Sequence, residues 1–268
     1  MNTTLLSGMA PSPDWLLLGT EPVRALLEYA CMRMANNADL PQGDGHPVVI
    51  FPGLAADRHS IGPLKQFCKQ LGYSTYDWGR GFNTGPQGDV NQWIDALAQE
   101  IDTLVRPHEQ ATSLIGWSLG GIYAREVAKK LRGRVRQVIT IGTPFAGTPE
   151  QTNAGWVFRL VNGQTPPVDR ALSARLRVAP PVPTTSLYSR GDGIVAWQAC
   201  IQGGRSDRAE NIEVTGSHCG MGWNTEVLSI IADRLAQPPG AWRRHPDGDR
   251  PPRAASGLGQ PTSMTASA

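Results

Sequence analysis

The sequence is short of several things, and each shortage closes a class of function. It has four cysteines, Cys31, Cys68, Cys200 and Cys219, none in a C-x-x-C pair or another metal-ligand spacing. Free, mostly buried thiols are expected rather than a disulfide framework or a zinc site. Excess charge is also missing: 25 Lys+Arg against 23 Asp+Glu leave +2. The stretch from Pro238 onward carries that whole surplus, Arg243, Arg244, Arg250 and Arg253 against Asp247 and Asp249, so residues 1 to 237 are formally neutral. That balance argues against a surface built for nucleic acid or for anionic membrane as the main role. No run approaches the ~18 apolar residues of a membrane-spanning helix. The opening MNTTLLSGMAPSP has no basic region and no continuous apolar stretch, so no secretory signal is expected, and a cytoplasmic location is.

What is present is a globular composition, 40% hydrophobic and 18% charged over 268 residues, with 30 glycines and 22 prolines that call for many turns. The stretch DWLLLGTEPVRALLEYACMRM reads as a helix with Val23, Leu26, Leu27 and Ala30 on one face, forming a helical extension over residues 1 to 44. That face either covers the main domain or lies on a membrane surface. From residue 45 the text alternates. HPVVIFPG, YSTYDW, TSLIGW, VRQVITIG, TTSLYS and NIEVTG read as strands, and RHSIGPLKQFCKQLG, VNQWIDALAQEIDTLV, LGGIYAREVAKKLRG and MGWNTEVLSIIADRLAQ as the helices among and after them. Strands separated by helices pair in parallel through right-handed crossovers, which gives a three-layer α/β domain over residues 45 to 237 with a mainly parallel sheet of about six strands. An insert at about residues 148 to 183 contains WVFRLV and VDRALSARLRV, two short helical candidates placed where a cap over a site would sit. Residues 238 to 268, rich in Pro, Gly and Arg and without periodicity, read as a disordered tail.

The chemistry gathers around LIGWSLGG, residues 114 to 121. Ser118 falls between a predicted strand and a predicted helix. It is open to three readings: a turn residue, a helix cap, or a nucleophile held on a sharp bend. Gly116-Trp117-Ser118-Leu119-Gly120 is a G-x-S-x-G pattern, whose mechanics demand that strand-to-helix setting. The bend strains the serine backbone, glycines on either side relieve the crowding, and the helix N-terminus brings N–H groups beside the hydroxyl.

A serine hydroxyl is a weak nucleophile and needs a base oriented by a carboxylate. Five histidines are available, and with this motif the acid and then the histidine follow the serine in the chain. His218, in the loop TGSHCGM after the last strand, is the one inside the folded region that does so. Its neighbour Cys219 lacks a separate base and reads as packing. Of the carboxylates between them, Asp192 in SRGDGIV stands at a strand's carboxyl end, with Asp207 in reserve. Two N–H donors must face the developing oxyanion. Leu119, directly after the serine, supplies one, and Leu54 in FPGLAAD the other, Gly53 permitting the bend.

VVIFPGL, GWSLGG, ITIGTPFAGTP, SRGDGIV and GSHCGM, in that order and spacing from His46 to Gln237, resemble the α/β-hydrolase fold and within it the bacterial lipases and esterases. The resemblance implies a serine hydrolase with Ser118 as nucleophile, Asp192 as acid, His218 as base, and Leu54 and Leu119 as oxyanion donors. It implies a small-molecule ester or lipid substrate, no nucleic acid, peripheral membrane contact at most, and neither cofactor nor metal. The chain departs from many lipases of this type by Pro52-Gly53 where they have His-Gly, and by Phe145 where they have histidine. It begins at the equivalent of the third strand of the full fold. Apolar Leu54, Trp117, Leu119, Phe145, Trp156, Val157 and Phe158 would suit an acyl chain or belong to the core. The same triad also serves an acyltransferase, and a binding module that merely kept the scaffold is the reading from a different class.

Overall fold

A computed structural model describes residues 13–147, 170–204 and 206–249. Six strands, β1 (Pro47–Phe51), β2 (Ser74–Asp77), β3 (Thr112–Trp117), β4 (Val135–Ile141), β5 (Thr184–Tyr188) and β6 (Ala209–Glu213), form one parallel sheet in the order β2-β1-β3-β4-β5-β6. All six overlap the predicted strands, β6 beginning two residues earlier than expected, and for the inner strands the reason is physical. A parallel sheet covered by helices on both faces buries every side chain of its inner strands, so these read as continuous β-branched runs. Val48 and Ile50 of β1 pack on one face with Ile115, Ile139 and Leu187, while Val49 and Phe51 pack on the other with Leu114 and Val138.

Six α-helices among the described residues accompany the sheet: α1 (Trp15–Met34), α2 (Gly62–Gln70), α3 (Val90–Val105), α4 (Leu119–Lys130), α5 (Arg170–Arg177) and α6 (Thr225–Ala236). Helices α2 and α6 supply the first core with Leu64, Phe67, Cys68, Val227, Leu228 and Ile231; α3 and α4 supply the second with Ile94, Leu97, Ile101, Tyr123 and Val127. The N-termini of α1, α3 and α6 are closed by Asp14, Asp89 and Asn224, whose side chains accept N–H bonds from the first turn.

Three expectations need revision. The apolar face of α1 points outward: Val23, Leu26 and Leu27 are each more than 60% exposed, whereas Glu21 is 2% exposed and Ala25 is buried. Only its end meets the apolar interior, with Met32 against the first core and Tyr29 edge-on to Trp223; the buried middle of the helix docks on loop backbone through polar groups. Residues 238–249 pack on the domain through hydrogen bonds. Arg234 donates to the Arg243 carbonyl at 2.6 Å, the His245 N–H to Glu210 at 2.7 Å, and the Asp249 carboxylate accepts from Asn211. Composition misled there because the partners are buried charges on β6 and α6, Glu210 and Arg234, which take up loop backbone. Cys31 is exposed, although Cys68 and Cys200 are buried and all four thiols are free. Of the predicted insert, residues 170–177 are helical as α5; WVFRLV, with Trp156, Val157 and Phe158, lies outside the described residues, as does the tail beyond Asp249.

Candidate active site

The carboxyl ends of β3, β4, β5 and β6 lie side by side, and the residues singled out from the sequence gather there. Ser118 follows β3 directly with φ 54° and ψ −125°, a left-handed conformation that a residue with a side chain adopts only when its surroundings force it. Its N–H donates to the Ile141 carbonyl at the end of β4 (2.8 Å). Ser118 occupies the N-cap position of α4, yet its side chain makes no capping bond, unlike Asp14, Asp89 and Asn224 at α1, α3 and α6. Of the three readings, that argues against the cap. The hydroxyl is left for something else, beside the first N–H groups of α4, which have no partner within the helix.

The bend requires its glycines. A Cβ on Gly116 would lie 2.3 Å from Gly121 Cα, and one on Gly120 would lie 2.3 Å from the Phe51 carbonyl oxygen and 2.5 Å from that of Pro52. So α4 is pressed against the loop leaving β1. Gly53 in that loop faces the serine: a Cβ there would be 3.2 Å from Ser118 Cβ and 3.9 Å from its Oγ. Leu54 follows, and Asn83 fixes the loop from the opposite side. Its side chain donates to the Pro52 carbonyl at 2.9 Å, and its backbone exchanges hydrogen bonds with Ala55 and Ala56, each at 2.8 Å. Asn83 is fully buried and carried no signal in the sequence beyond its place in a turn-rich GFNTGP.

Asp192 and His218 meet at the ends of the adjacent strands β5 and β6. Asp192 Oδ2 lies 2.6 Å from His218 Nδ1, while Oδ1 accepts the N–H groups of Ile194 (2.8 Å) and Val195 (2.7 Å). The acid is therefore 3% exposed and fixed in orientation. Burial works against a charged imidazole, but Asp192, by charge and hydrogen bond, and the charge of Glu21 outweigh it, and His218 is held above its ordinary value of 6.5. The backbone ties this pair to the serine. Trp117 Nε1 donates to the His218 carbonyl at 3.1 Å, and a Cβ on Gly142, directly after β4, would stand 3.1 Å from His218 Nδ1 and 3.2 Å from Asp192 Oδ2. Asp207 lies on the far side of β6's start, before the strand rather than after it. Burial, with Glu21 and Asp192 beside it, pushes the Cys219 thiol up to about 12, so it stays protonated and unsuited to attack.

Phe145 is buried, and the guanidinium of Arg125 stacks over its ring at 3.7 Å, filling the position where many lipases carry histidine. Arg125 in turn holds the carbonyls of Leu176 and Val178 at the end of α5. Among the described residues no cluster of His, Cys, Asp and Glu could hold a metal ion, and no helix is long and apolar enough to cross a membrane.

No protein-family model matches the chain. Over 102 residues it is 28% identical to a pimeloyl-(acyl-carrier protein) methyl ester esterase of Shewanella woodyi, a match covering 38% of this chain and 37% of that protein. Among solved structures it is similar to Aspergillus fumigatus lipase B (TM-score 0.56, 19% identity, 75% of this chain and 55% of that one). It is also similar to a monoacylglycerol lipase of Paleococcus ferrophilus (0.52, 13%, 74% and 96%) and to a lipase-esterase related protein of Clostridium acetobutylicum (0.51, 15%, 73% and 96%). The chain thus spans little more than a third of the curated relative and about half of the Aspergillus lipase. With a parallel sheet in this strand order, a strained serine between β3 and α4, and these structural relatives, the chain has the α/β-hydrolase fold.

Proposed function

We propose that the protein is a serine hydrolase of carboxylic esters, with Ser118 as nucleophile, His218 as general base and Asp192 as the acid that orients it. The observation that carries the reading is the 2.6 Å contact between Asp192 and His218 at the end of the sheet that presents an uncapped, left-handed Ser118. In the proposed cycle His218 Nε2 takes the Ser118 proton as Oγ attacks the ester carbonyl. The oxyanion that forms accepts hydrogen bonds from the Leu119 and Leu54 N–H groups. His218 then gives its proton to the leaving alcohol, and a water activated by the same nitrogen releases the acid and restores the serine. Asp192, bonded to Nδ1, keeps the proton on that nitrogen and stabilises the imidazolium as it forms. The similarity to a methyl ester esterase and to lipases favours an ester as the substrate class, a lipid or another small molecule.

Turnover of p-nitrophenyl esters from short to long acyl chains, with covalent labelling by a fluorophosphonate, tests this. Hydrolysis and labelling are expected in the wild type and in neither case in Ser118→Ala. A folded wild type that neither turns over nor labels would overturn the reading in favour of a scaffold without catalysis. Transfer of the acyl group to an added alcohol in preference to water would identify an acyltransferase.

A further inference from the structure

The buried side of α1 carries an unusual load. Glu21 is 2% exposed and makes four hydrogen bonds. Its Oε1 accepts the Gly193 N–H (2.8 Å), the His218 N–H (3.0 Å) and Arg24 Nη2 (2.9 Å), and its Oε2 accepts the Cys219 N–H (2.9 Å). Arg24 Nη1 donates to the Gly191 carbonyl at 2.5 Å, and Glu28 Oε1 accepts the Ser217 N–H at 2.8 Å. Asp192 is thus gripped at the residue before it and the residue after it, and His218 at its own amide and those on either side. Gly193 permits the approach, since a Cβ there would lie 2.5 Å from the Leu17 backbone.

Resting on the reading of Asp192 and His218 as acid and base, we propose that Glu21 is a positioning residue: from α1 its carboxylate joins the loop of the acid to the loop of the base and holds the two in register. A helix that merely filled space would bury its apolar face here, and α1 turns that face to solvent instead. Burying a carboxylate is costly unless its lone pairs are taken up, and three backbone N–H groups and a guanidinium do so. The carboxylate also acts on His218 through space. The charged groups facing the imidazole and its loop are Asp192 on Nδ1, Glu21 on the backbone, Arg24 paired with Glu21, and Glu28 on Ser217; the Cys219 thiol is neutral. Glu21 and Asp192 both favour the imidazolium.

The test compares wild type, Glu21→Gln and Arg24→Gln by kcat and KM on p-nitrophenyl acetate across pH, and by an NMR titration of the His218 ring. Glu21→Gln keeps the shape but removes the charge and places an NH2 against backbone N–H groups. A misplacement of the pair by about 1 Å is expected to lower kcat by roughly 100-fold with KM little changed. The His218 titration is expected to move to lower pH, which loss of packing alone would not cause. Arg24, partly exposed, tolerates replacement more readily, and Arg24→Gln is expected to lower kcat without lowering the His218 titration. Unchanged kcat together with an unmoved His218 titration in a folded Glu21→Gln would overturn the proposal. Should Glu21→Gln not fold, wild-type kcat in Arg24→Gln would do the same. A wild type without ester turnover would count against the proposed function alone, and the ring titration would still decide the role of Glu21.

Discussion

The two ends of the sheet each hold an aspartate, a histidine and a serine, and only distances would make the wrong end look right. At the amino end, Asp44 Oδ1 lies 2.5 Å from His46 Nδ1, and His46 Nε2 lies 2.7 Å from Ser113 Oγ. The Asp44–His46–Ser113 chain is connected throughout, as a triad would be. Yet Ser113 is fully buried inside β3, beside a shift in the β3–β4 register, and its hydroxyl also accepts a bond from Gln137. With no exposed surface, Ser113 is shut off from a substrate carbonyl. At the carboxyl end Ser118 is half-buried, left-handed and uncapped. The histidines differ correspondingly. Burial lowers His46, aided by Arg136 and opposed by Asp44, whereas Asp192 and Glu21 raise His218. The comparison teaches that a hydrogen-bonded Asp-His-Ser chain is structural mortar unless the serine is strained, accessible and flanked by donors.

The largest expected effect separates the two serines. Ser118→Ala should lower ester turnover by several orders of magnitude, about 10⁶-fold by analogy with other serine hydrolases. Ser113→Ala should leave turnover unchanged and cost stability, roughly 1–3 kcal/mol for the buried partner it strands, read from urea unfolding. Loss of turnover in a folded Ser113→Ala would break the comparison.

The acids come next. Asp192→Asn should reduce kcat on the order of 10⁴-fold by releasing the His218 tautomer, while Asp44→Asn should leave kcat intact, both measured on one soluble ester. A smaller effect belongs to Gly142, which holds φ +54° beside the Asp192–His218 pair. Gly142→Ala would set a methyl 2.8 Å from Met221 Cε and against the side chains of His218 and Asp192. A stability loss of about 1–3 kcal/mol is expected, with a drop in kcat larger than that loss explains.

The smallest effect is in pH dependence, and its sign differs between the ends. For His218, raised above 6.5, the proposed mechanism requires the neutral ring, so kcat/KM should fall as pH drops through a value above 6.5. Its charged form contributes stability that is fully present below 6.5 and is lost as pH rises through the folded value. His46, lowered from 6.5, does the opposite: the unfolded chain takes up a proton that the folded chain refuses, so stability declines as pH falls through 6.5. Urea unfolding across that range, with His46→Gln and His218→Gln against wild type, should show difference slopes of opposite sign.

Much of this was legible in the sequence because the relevant forces act locally. The buried strands announced themselves as apolar runs, the elbow by glycines that backbone contact makes obligatory, and Asp192 and His218 by their places after strands. What escaped was whatever depends on contacts far apart in the chain. Apolar periodicity in α1 left its face either against the domain or at a membrane surface; the amides of residues 193, 218 and 219 take the side toward the domain, and a carboxylate meets them better than leucine does. Asn83 and Gly142 act on loops that approach only in three dimensions. The residues from 238 to 249 follow buried charges on β6 and α6, which no windowed pattern registers.

The clasp made by Glu21 also bears on how the protein is made. The residues it joins lie 172, 197 and 198 positions further along the chain. During synthesis the helix and the serine elbow emerge well before their partners, so the clasp closes only when the strands β5 and β6 have left the ribosome and added themselves to the sheet. On the proposed mechanism, a nascent or truncated chain carrying Ser118 would have its nucleophile without its base, and ester turnover is expected only once nearly the whole fold has been read out.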